Sequence, residues 1–268
     1  MQASRGLEYT YYEANAFKLK FPQSNKTLLV DPWLVGDLTF AGLGDWFYGG
    51  KKKYSLPPLE ETSRCDLILL TQGLDDHAHL PTLKVLDRAT PVVASPTAAA
   101  IVRDLGYRTV YSLAHGESCT VLDGTITIEA TQGALVGPPW ATRENGFVIR
   151  ETLPHGVSVY YEPHCDYVGD NVTRAGPVDV MISPVKTVSM GSYPLVKGEE
   201  VLPLVKALRP KALIPLTNAD GISTGILSTL INVSGNMDTV EQGLQAEIPE
   251  TRFVQVAPVG QSTIVSLL

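Results

Sequence analysis

Short apolar runs and alternating apolar positions, separated by turns, dominate the first part of the chain. Leu7–Tyr12, Ala16–Phe21 and Thr27–Val30 are β-branched, aromatic or alternating, and this pattern predicts three strands. Asp66–Thr71 reads DLILLT, a short continuous apolar run that is typical of a strand buried on both faces. The chain therefore begins as a strand-rich structure with tight turns.

The rest of the chain alternates further strands with a few helices. Helices are predicted from Pro81 onward, over Thr97–Leu105 with Thr97 as the cap, and over Gly198–Leu208, where Pro203 marks an early position or a kink. The remaining predicted strands are Pro91–Ala94, Thr109–Ser112, Thr120–Leu122, Thr125–Ala130, Gly146–Arg150, Val157–Tyr161, Val178–Ser183, Lys211–Leu216, Arg252–Pro258 and Ser262–Ser266. Many strands with few helices predict two sheets layered between helices, in one domain over residues 1–268.

Composition removes several classes of protein. The 268 residues carry a formal net charge of −7, whereas a nucleic-acid binder needs clustered Lys and Arg. Hydrophobic residues make up 44% of the chain and charged residues 18%, which is enough apolar material for a large core. No apolar run approaches the roughly 20 residues of a membrane-spanning helix. Three widely spaced cysteines, Cys65, Cys119 and Cys165, fit a reducing compartment, and we expect a cytoplasmic protein.

Histidine is the scarce residue of interest. The chain has five, and two of them, His77 and His79, share one tripeptide in the loop that follows the predicted strand Asp66–Thr71. His115 and His155 lie in Gly-containing segments that look like exposed turns. If the protein binds a metal, few residues are left to hold it.

Four stretches of the chain resemble motifs of the metallo-β-lactamase fold superfamily, most closely its ascorbate-6-phosphate lactonase-like branch of small hydrolases. They are Thr27–Leu34, Asp66–His79, Val159–His164 and Lys211–Thr217. Because their order and spacing agree with the family, the resemblance covers nearly the whole chain. It implies an α+β fold, a four-layer αββα sandwich of the metallo-β-lactamase type.

The resemblance also implies where metals would bind, and there the chain departs from the family. The family places Thr-His-x-His-x-Asp-His after a strand, and its two histidine positions are Gln72 and Leu74 in this chain. Asp76 and His77 match the Asp-His pair. A third histidine would fall near Gln132 and is missing too. The ligands of one of the two metals are therefore absent, and a two-metal site is not expected.

The remaining ligands imply at most one divalent metal, Zn, Mn or Fe. The bridging carboxylate of the family falls at or beside His164, and the last histidine falls near Thr217. We predict Asp76, His77 and His164 as metal ligands, with water in an open position. We predict Asp76 and Glu162 as catalytic residues that move a proton, with Glu162 also a candidate fourth ligand. A site without metal, in which His77 is hydrogen-bonded to Asp76, stays open.

Two further residues have alternative interpretations. Asp31 ends the third predicted strand, and the resemblance gives it a role in orienting a loop beside the metals. A turn-initiating Asp explains the same position equally well. His79 is a further candidate ligand or a group that supports one.

The sequence leaves open whether the protein is an enzyme. The leading interpretation is a divergent metal-dependent hydrolase that acts on an ester, a lactone or a phosphoester. The alternative is a non-catalytic member of the fold that binds a small molecule or a protein in the former active-site cleft, since Leu74 makes the cleft floor more apolar. The expected partner is a small-molecule ligand or substrate rather than nucleic acid or a membrane. The aromatic residues of Gly36–Gly50 leave a homo-oligomer open.

Overall fold

Two seven-stranded sheets face each other, and helices cover the outer face of each. The structure, a computed structural model, describes residues 6–40, 42–136 and 140–267. One apolar cluster fills the space between the sheets, and two further clusters lie between each sheet and its helices. The predicted four-layer αββα sandwich is therefore confirmed.

The strands and helices are numbered in chain order over the described residues. The strands are β1 (Gly6–Tyr11), β2 (Phe17–Lys20), β3 (Thr27–Val30), β4 (Leu38–Thr39), β5 (Gly49–Lys51), β6 (Leu67–Leu70), β7 (Val92–Ala94), β8 (Val110–Ser112), β9 (Ser118–Val121), β10 (Ile126–Gln132), β11 (Asn145–Glu151), β12 (Ser158–Tyr161), β13 (Val180–Pro184), β14 (Thr187–Met190), β15 (Tyr193–Lys197), β16 (Ala212–Leu216), β17 (Ile222–Thr224), β18 (Ile231–Ser234), β19 (Arg252–Phe253) and β20 (Ser262–Ser266). The helices are α1 (Leu59–Thr62), α2 (Leu80–Val85), α3 (Pro96–Asp104), α4 (Gly169–Ala175), α5 (Val201–Leu208) and α6 (Met237–Glu247). None of these helices is long and apolar enough to cross a membrane.

Each large sheet joins an antiparallel part to a parallel part. The first has the order β20-β1-β2-β3-β6-β7-β8 and the second β19-β16-β13-β12-β11-β10-β9. Strands β3, β6 and β7 run parallel to one another, as do β12, β13 and β16. Phe17 of β2 meets Tyr161 of β12 edge-on, with ring centroids 4.8 Å apart, so aromatic packing joins the two sheets near the middle of the core.

Two local predictions about helices need correction or refinement. Ser95, and not Thr97, caps α3, and its side chain accepts a hydrogen bond from the backbone N–H of Ala98. The reason is that Pro96 occupies the first helical position, which moves the cap to the residue before it. The segment predicted as one helix divides into a 3₁₀ turn at Gly198–Glu200 and α5, and Pro203 lies in the first turn of α5.

The carboxyl ends of the parallel strands meet at one edge of the sandwich. Asp31 directly follows β3, Thr71 and Gln72 follow β6, and Glu162 follows β12. All four side chains are buried. Polar residues at the ends of adjacent parallel strands converge on one place, and here they form the candidate functional site.

Glu151 ties a turn of the first sheet to the second sheet. Its carboxylate accepts hydrogen bonds from the backbone N–H groups of Gln23, Ser24 and Val157, at 3.0, 2.7 and 3.1 Å. The residue is only 7% exposed. These bonds stabilise the edge at which the turn between β2 and β3 contacts the end of β11.

We expect Glu151→Ala to lower the free energy of unfolding by about 1–3 kcal/mol, because the buried N–H of Val157 and two part-buried N–H groups lose their acceptor. Glu151→Gln retains an acceptor oxygen and should lose less. Urea unfolding at neutral pH measures both variants. Glu129→Ala, a half-buried glutamate of β10, is the control and should change stability by no more than about 0.5 kcal/mol. Equal losses in Glu151→Ala and Glu129→Ala would contradict this assignment.

Candidate functional site

Asp31 is the buried centre of the site. Its backbone has a φ of 41°, and its side chain is fully buried. Thr71 donates to the carboxylate from its backbone N–H at 2.8 Å and from its hydroxyl at 2.6 Å, and the Tyr161 hydroxyl donates at 3.1 Å. Nδ1 of His77 lies 2.9 Å from Oδ2 of Asp31. The carboxylate therefore fixes the orientation of the His77 imidazole and does more than start a turn. The role in orienting a loop beside the metals stays a prediction.

His77 lies between two carboxylates. On the side opposite Asp31, its Nε2 is 3.4 Å from Oδ2 of Asp76. Burial by itself lowers the pKa of His77, but the charges of Asp76 and Asp31 outweigh it and raise the pKa to about 10. Burial works in the other direction on Asp76, yet the charge of His77 holds the pKa of this carboxyl below its usual value. At neutral pH the two residues form an ion pair, so a metal has to displace a proton from His77.

Asn15 was not among the predicted site residues, and it contacts both members of this pair. Its Nδ2 lies 3.2 Å from Oδ2 of Asp76 and 3.2 Å from Nε2 of His77. Asn218 donates to the Asn15 oxygen at 2.9 Å and to the Pro163 carbonyl at 2.8 Å, which turns the NH₂ group of Asn15 toward Asp76. Neither asparagine belongs to a recognisable motif, and Asn15 is 61 residues from Asp76 in the chain, so no sequence pattern indicates that the two meet.

Gln72 and His164 form a second buried pair. The amide nitrogen of Gln72 lies 2.8 Å from Nδ1 of His164. Burial and the nearby charge of His77 lower the pKa of His164 to about 3, so the ring is neutral and its Nδ1 accepts the amide proton. The rings of His164 and His77 have centroids 5.4 Å apart. The amide oxygen of Gln72 is buried and contacts no hydrogen-bond partner among the described residues.

Glu162 holds the loop that carries His164. Its Oε2 accepts from the backbone N–H groups of His164 and Asp166, at 3.1 and 2.8 Å, and its Oε1 accepts from Ala134 at 3.2 Å. Burial raises the pKa of Glu162 to about 8, and the three N–H bonds offset only part of that effect. Oε2 is thus used by this loop, and Oε1 by the segment that follows β10. The catalytic role of Glu162 stays a prediction.

The loop from Gln72 to His77 is attached to the start of α3. Gly73 donates to Oγ1 of Thr97 at 3.0 Å, and a Cβ on Gly73 would lie 2.9 Å from the Thr97 Cβ, closer than atoms approach. Thr97 in turn donates to Glu144 at 2.8 Å. The carbonyl of Leu74 accepts from the N–H of His77 at 3.0 Å and makes the turn. Glycine at position 73 is therefore required for this close approach.

The other three histidines do not join the site. His79 is buried at the start of α2, where Nδ1 is 2.9 Å from the Thr82 hydroxyl and Nε2 is 3.3 Å from the Asp37 carbonyl. Both of its ring nitrogens are thus used within the chain. His115 contacts the Glu144 carbonyl, and His155 is exposed.

Two metals do not fit the described residues. No group of three or more His, Cys, Asp or Glu side chains with suitable spacing occurs among them. Leu74 has no ligand atom, and Gln72 directs its amide nitrogen at His164.

The Asp76–His77 pair supplies two ligand atoms at the spacing that one ion requires, but the described residues add no third ligand. Nε2 of His77 and Oδ2 of Asp76 are 3.4 Å apart. Two ligand atoms on one tetrahedral ion have this separation when each bond is about 2.0–2.2 Å long. Oδ1 of Asp76 is also buried without a partner among the described residues. His164 would complete the set by giving up its bond to Gln72. Asp76, His77 and His164 do not form a three-ligand group in the described part of the chain. Their role as metal ligands stays a prediction.

A cavity large enough for a small molecule is lined in part by the residues that precede Asn15 and Asn218 in the chain. Its volume is about 580 Å³, and its walls include Glu13, Ala14 and Thr217. Asp76, His77 and His164 are not part of its walls. Thr217, where the family resemblance placed a last histidine, therefore faces this cavity.

Comparison with known proteins identifies the fold and the family. Residues 8–217 match the sequence profile described as Beta-lactamase superfamily domain. No curated protein matches the chain. The ascorbate-6-phosphate lactonase-like branch is not tested by these comparisons and stays a prediction.

Solved structures of three proteins illustrate the likeness. Igni18, a novel metallo hydrolase from the archaeon Ignicoccus hospitalis KIN4/I, has a TM-score of 0.67 at 15% identity and covers 97% of this chain and 99% of its own. A possible metal-dependent hydrolase from Veillonella parvula DSM 2008 has a TM-score of 0.68 at 16% identity, with coverage of 97% and 99%. CmlA, a diiron β-hydroxylase from Streptomyces venezuelae, has a TM-score of 0.66 at 17% identity and matches all of this chain with 55% of its own. At such identities the likeness shows the fold alone.

In chelator-treated protein, we expect the free energy of unfolding to fall as the pH rises from 6.5 to about 10. The folded-state pKa of His77, about 10, exceeds the unfolded value of 6.5. The stabilisation by its imidazolium is therefore complete below pH 6.5 and is lost as the pH passes about 10. The loss should amount to about 2–5 kcal/mol, as expected for a shift of a few pKa units.

Urea unfolding of wild type and His77→Gln at several pH values measures this effect. Their slopes should differ throughout the range between pH 6.5 and about 10, because only wild type loses the His77 imidazolium there. His155→Gln, at an exposed histidine, is the control and should follow wild type. Parallel curves for wild type and His77→Gln would contradict the expected ion pair.

Proposed function

The chain belongs to the beta-lactamase superfamily, and we propose that it is a hydrolase acting on a small ester, lactone or phosphoester. The observation that carries the proposal is the Asp76–His77 pair, whose ring is oriented by Asp31 and whose Asp76 Oδ1 is buried without a partner among the described residues. Two structures with the same fold are described as a metallo hydrolase and a possible metal-dependent hydrolase, which supports this class of reaction.

We propose that Asp76, His77 and His164 hold at most one divalent ion, Zn²⁺, Mn²⁺ or Fe²⁺. Such an ion supplies a water of lowered pKa and polarises a carbonyl or phosphoryl oxygen. The ligand types, a carboxylate and two imidazoles, suit these ions.

The remaining site residues orient the ligands and move the proton. Asp31 fixes the ring of His77 through its Nδ1. Asn15 fixes the carboxylate of Asp76 by donating a hydrogen bond to its Oδ2. Asp76 is the more accessible of the two predicted proton-transfer groups, because its side chain is 22% exposed, whereas Glu162 is fully buried against backbone N–H groups. Glu162 instead keeps the His164 loop in place.

We propose that the small molecule reaches Asp76 at the edge where the parallel strands end, because this side chain is 22% exposed. We also propose a reducing, cytoplasmic setting for the reaction. The three cysteines, all of which are free, support that setting.

We expect about one metal ion per chain in protein purified without chelator, and clearly less in Asp76→Asn and His77→Gln. Turnover should be sought with 4-nitrophenyl acetate, δ-valerolactone and 4-nitrophenyl phosphate, with added Zn²⁺, Mn²⁺ or Fe²⁺ and with chelator. Loss of a ligand should reduce turnover by at least about 100-fold, because metal sites are sensitive even to changes in their supporting residues. Elemental analysis and absorbance assays measure the two quantities.

His155→Gln is the matched control for these variants and should retain both metal and turnover. Metal-free wild type without turnover under every condition would overturn the proposal. That outcome would instead favour a non-catalytic protein that binds a small molecule or a protein partner in the same cleft.

A further inference from the structure

Two cationic side chains share one carboxylate close to His164. Nη1 of Arg143 and Nζ of Lys197 each lie 3.1 Å from the same oxygen, Oδ1 of Asp166. Asp166 is 8% exposed, whereas the side chains of Arg143 and Lys197 are 29% and 31% exposed. Two positive charges face one negative charge here, so the cluster has one positive charge in excess.

The loop that carries His164 brings this cluster to the edge of the site. Lys197 donates its backbone N–H to the His164 carbonyl at 2.7 Å. Asp166 is two residues after His164, and its Oδ2 accepts from the N–H of Leu135 at 3.3 Å. Ala134, the residue before Leu135, bonds to Glu162. The segments that carry Arg143, Asp166 and Lys197 are thus hydrogen-bonded to, or continuous with, the segments around His164.

The hydrogen bonds of the cations leave donors available. Nη1 of Arg143 donates to the Gly133 carbonyl at 2.6 Å and to Asp166 at 3.1 Å. Nε and Nη2 of Arg143 make no hydrogen bond to a described residue. These two nitrogens form an edge of the guanidinium that can bind a carboxylate or a phosphate through two hydrogen bonds. The ammonium of Lys197 has three donors, and its described partner is Asp166.

A structural role alone explains only part of this arrangement. One cation would be enough to balance Asp166, and Arg143 alone ties the loop at Gly133 to Asp166. Lys197 adds a second, half-exposed charge at the same oxygen. In a chain with a net charge of −7, such a local excess of positive charge favours a negatively charged ligand.

We propose that Arg143 and Lys197 form an anion-binding site beside His164, which holds a phosphate or carboxylate group of the substrate. The inference rests on the proposed hydrolase function and narrows its substrate to anionic esters, lactones or phosphoesters. The anionic group lies at the cationic cluster, and the bond to be cleaved lies toward Asp76 and His77.

Calorimetric titration with inorganic phosphate and, separately, with succinate tests the site at constant ionic strength. We expect wild type to bind at least one of the two anions, and Arg143→Gln and Lys197→Gln each to weaken that affinity about tenfold, as the loss of one charge-assisted hydrogen bond does. The titration that shows binding tells whether the site takes a phosphate or a carboxylate.

Lys211→Gln is the matched control. Lys211 pairs with Asp179 at 2.9 Å and precedes β16, whereas the site lies toward the other end of that strand. This variant also loses one positive charge and should bind the anions as wild type does. Arg143→Lys keeps the charge and loses the two-bond edge, so it tests the site even if Arg143→Gln folds poorly.

The outcomes separate this inference from the proposed function. Anion affinity that falls in the Arg143 and Lys197 variants, in a protein without turnover, supports the anion site and overturns the hydrolase. The anion site is overturned if wild type binds neither anion. It is also overturned if the affinities are equal in Lys197→Gln, Arg143→Lys and Lys211→Gln. If the anion site is overturned but neutral esters are still turned over, the proposed hydrolase function is retained.

Discussion

The hydrogen bond between the buried carboxylate of Asp31 and His77 is the interaction on which the rest of the site depends. Asp31 directly follows β3, and its other partners come from the ends of β6 and β12, through Thr71 and Tyr161. A fully buried carboxylate is costly unless it is paired and hydrogen-bonded, and here three donors and an imidazole meet that need. The same contacts that stabilise Asp31 therefore fix the position of His77 relative to both sheets.

Neutral amides organise the remainder of the site. Asn15, held by Asn218, contacts Asp76 and His77 from one side, and Gln72 bonds to His164 from the other. Amides orient a carboxylate or an imidazole without adding charge. They therefore fix Asp76 and His164 while the charges at this edge remain those of Asp31, Asp76 and His77.

Much of the fold could be predicted from the sequence, because buried strands have continuous apolar runs. Thr27–Val30 agrees with β3 at both ends, and the core strands β6 and β16 lie within their predicted ranges. The hairpin of β14 and β15 and the helix α6 were not predicted. Their residues are largely half-buried or exposed, so apolar and polar positions do not separate into a clear period. The prediction of Thr97 as a cap is wrong because Pro96 takes the first helical position and leaves Ser95 as the cap.

The sequence by itself determined the layered sandwich and the loop from Gln72 to His77, because periodicity and a local motif are properties of neighbouring residues. Only the tertiary structure decided which distant side chains meet that loop. Asn15 and Asp76 are 61 residues apart, Gln72 and His164 are 92 apart, and Asp31 and Tyr161 are 130 apart. Contacts of this kind depend on where strands from different sheets end in space, and single polar residues in turns carry no pattern that reveals it.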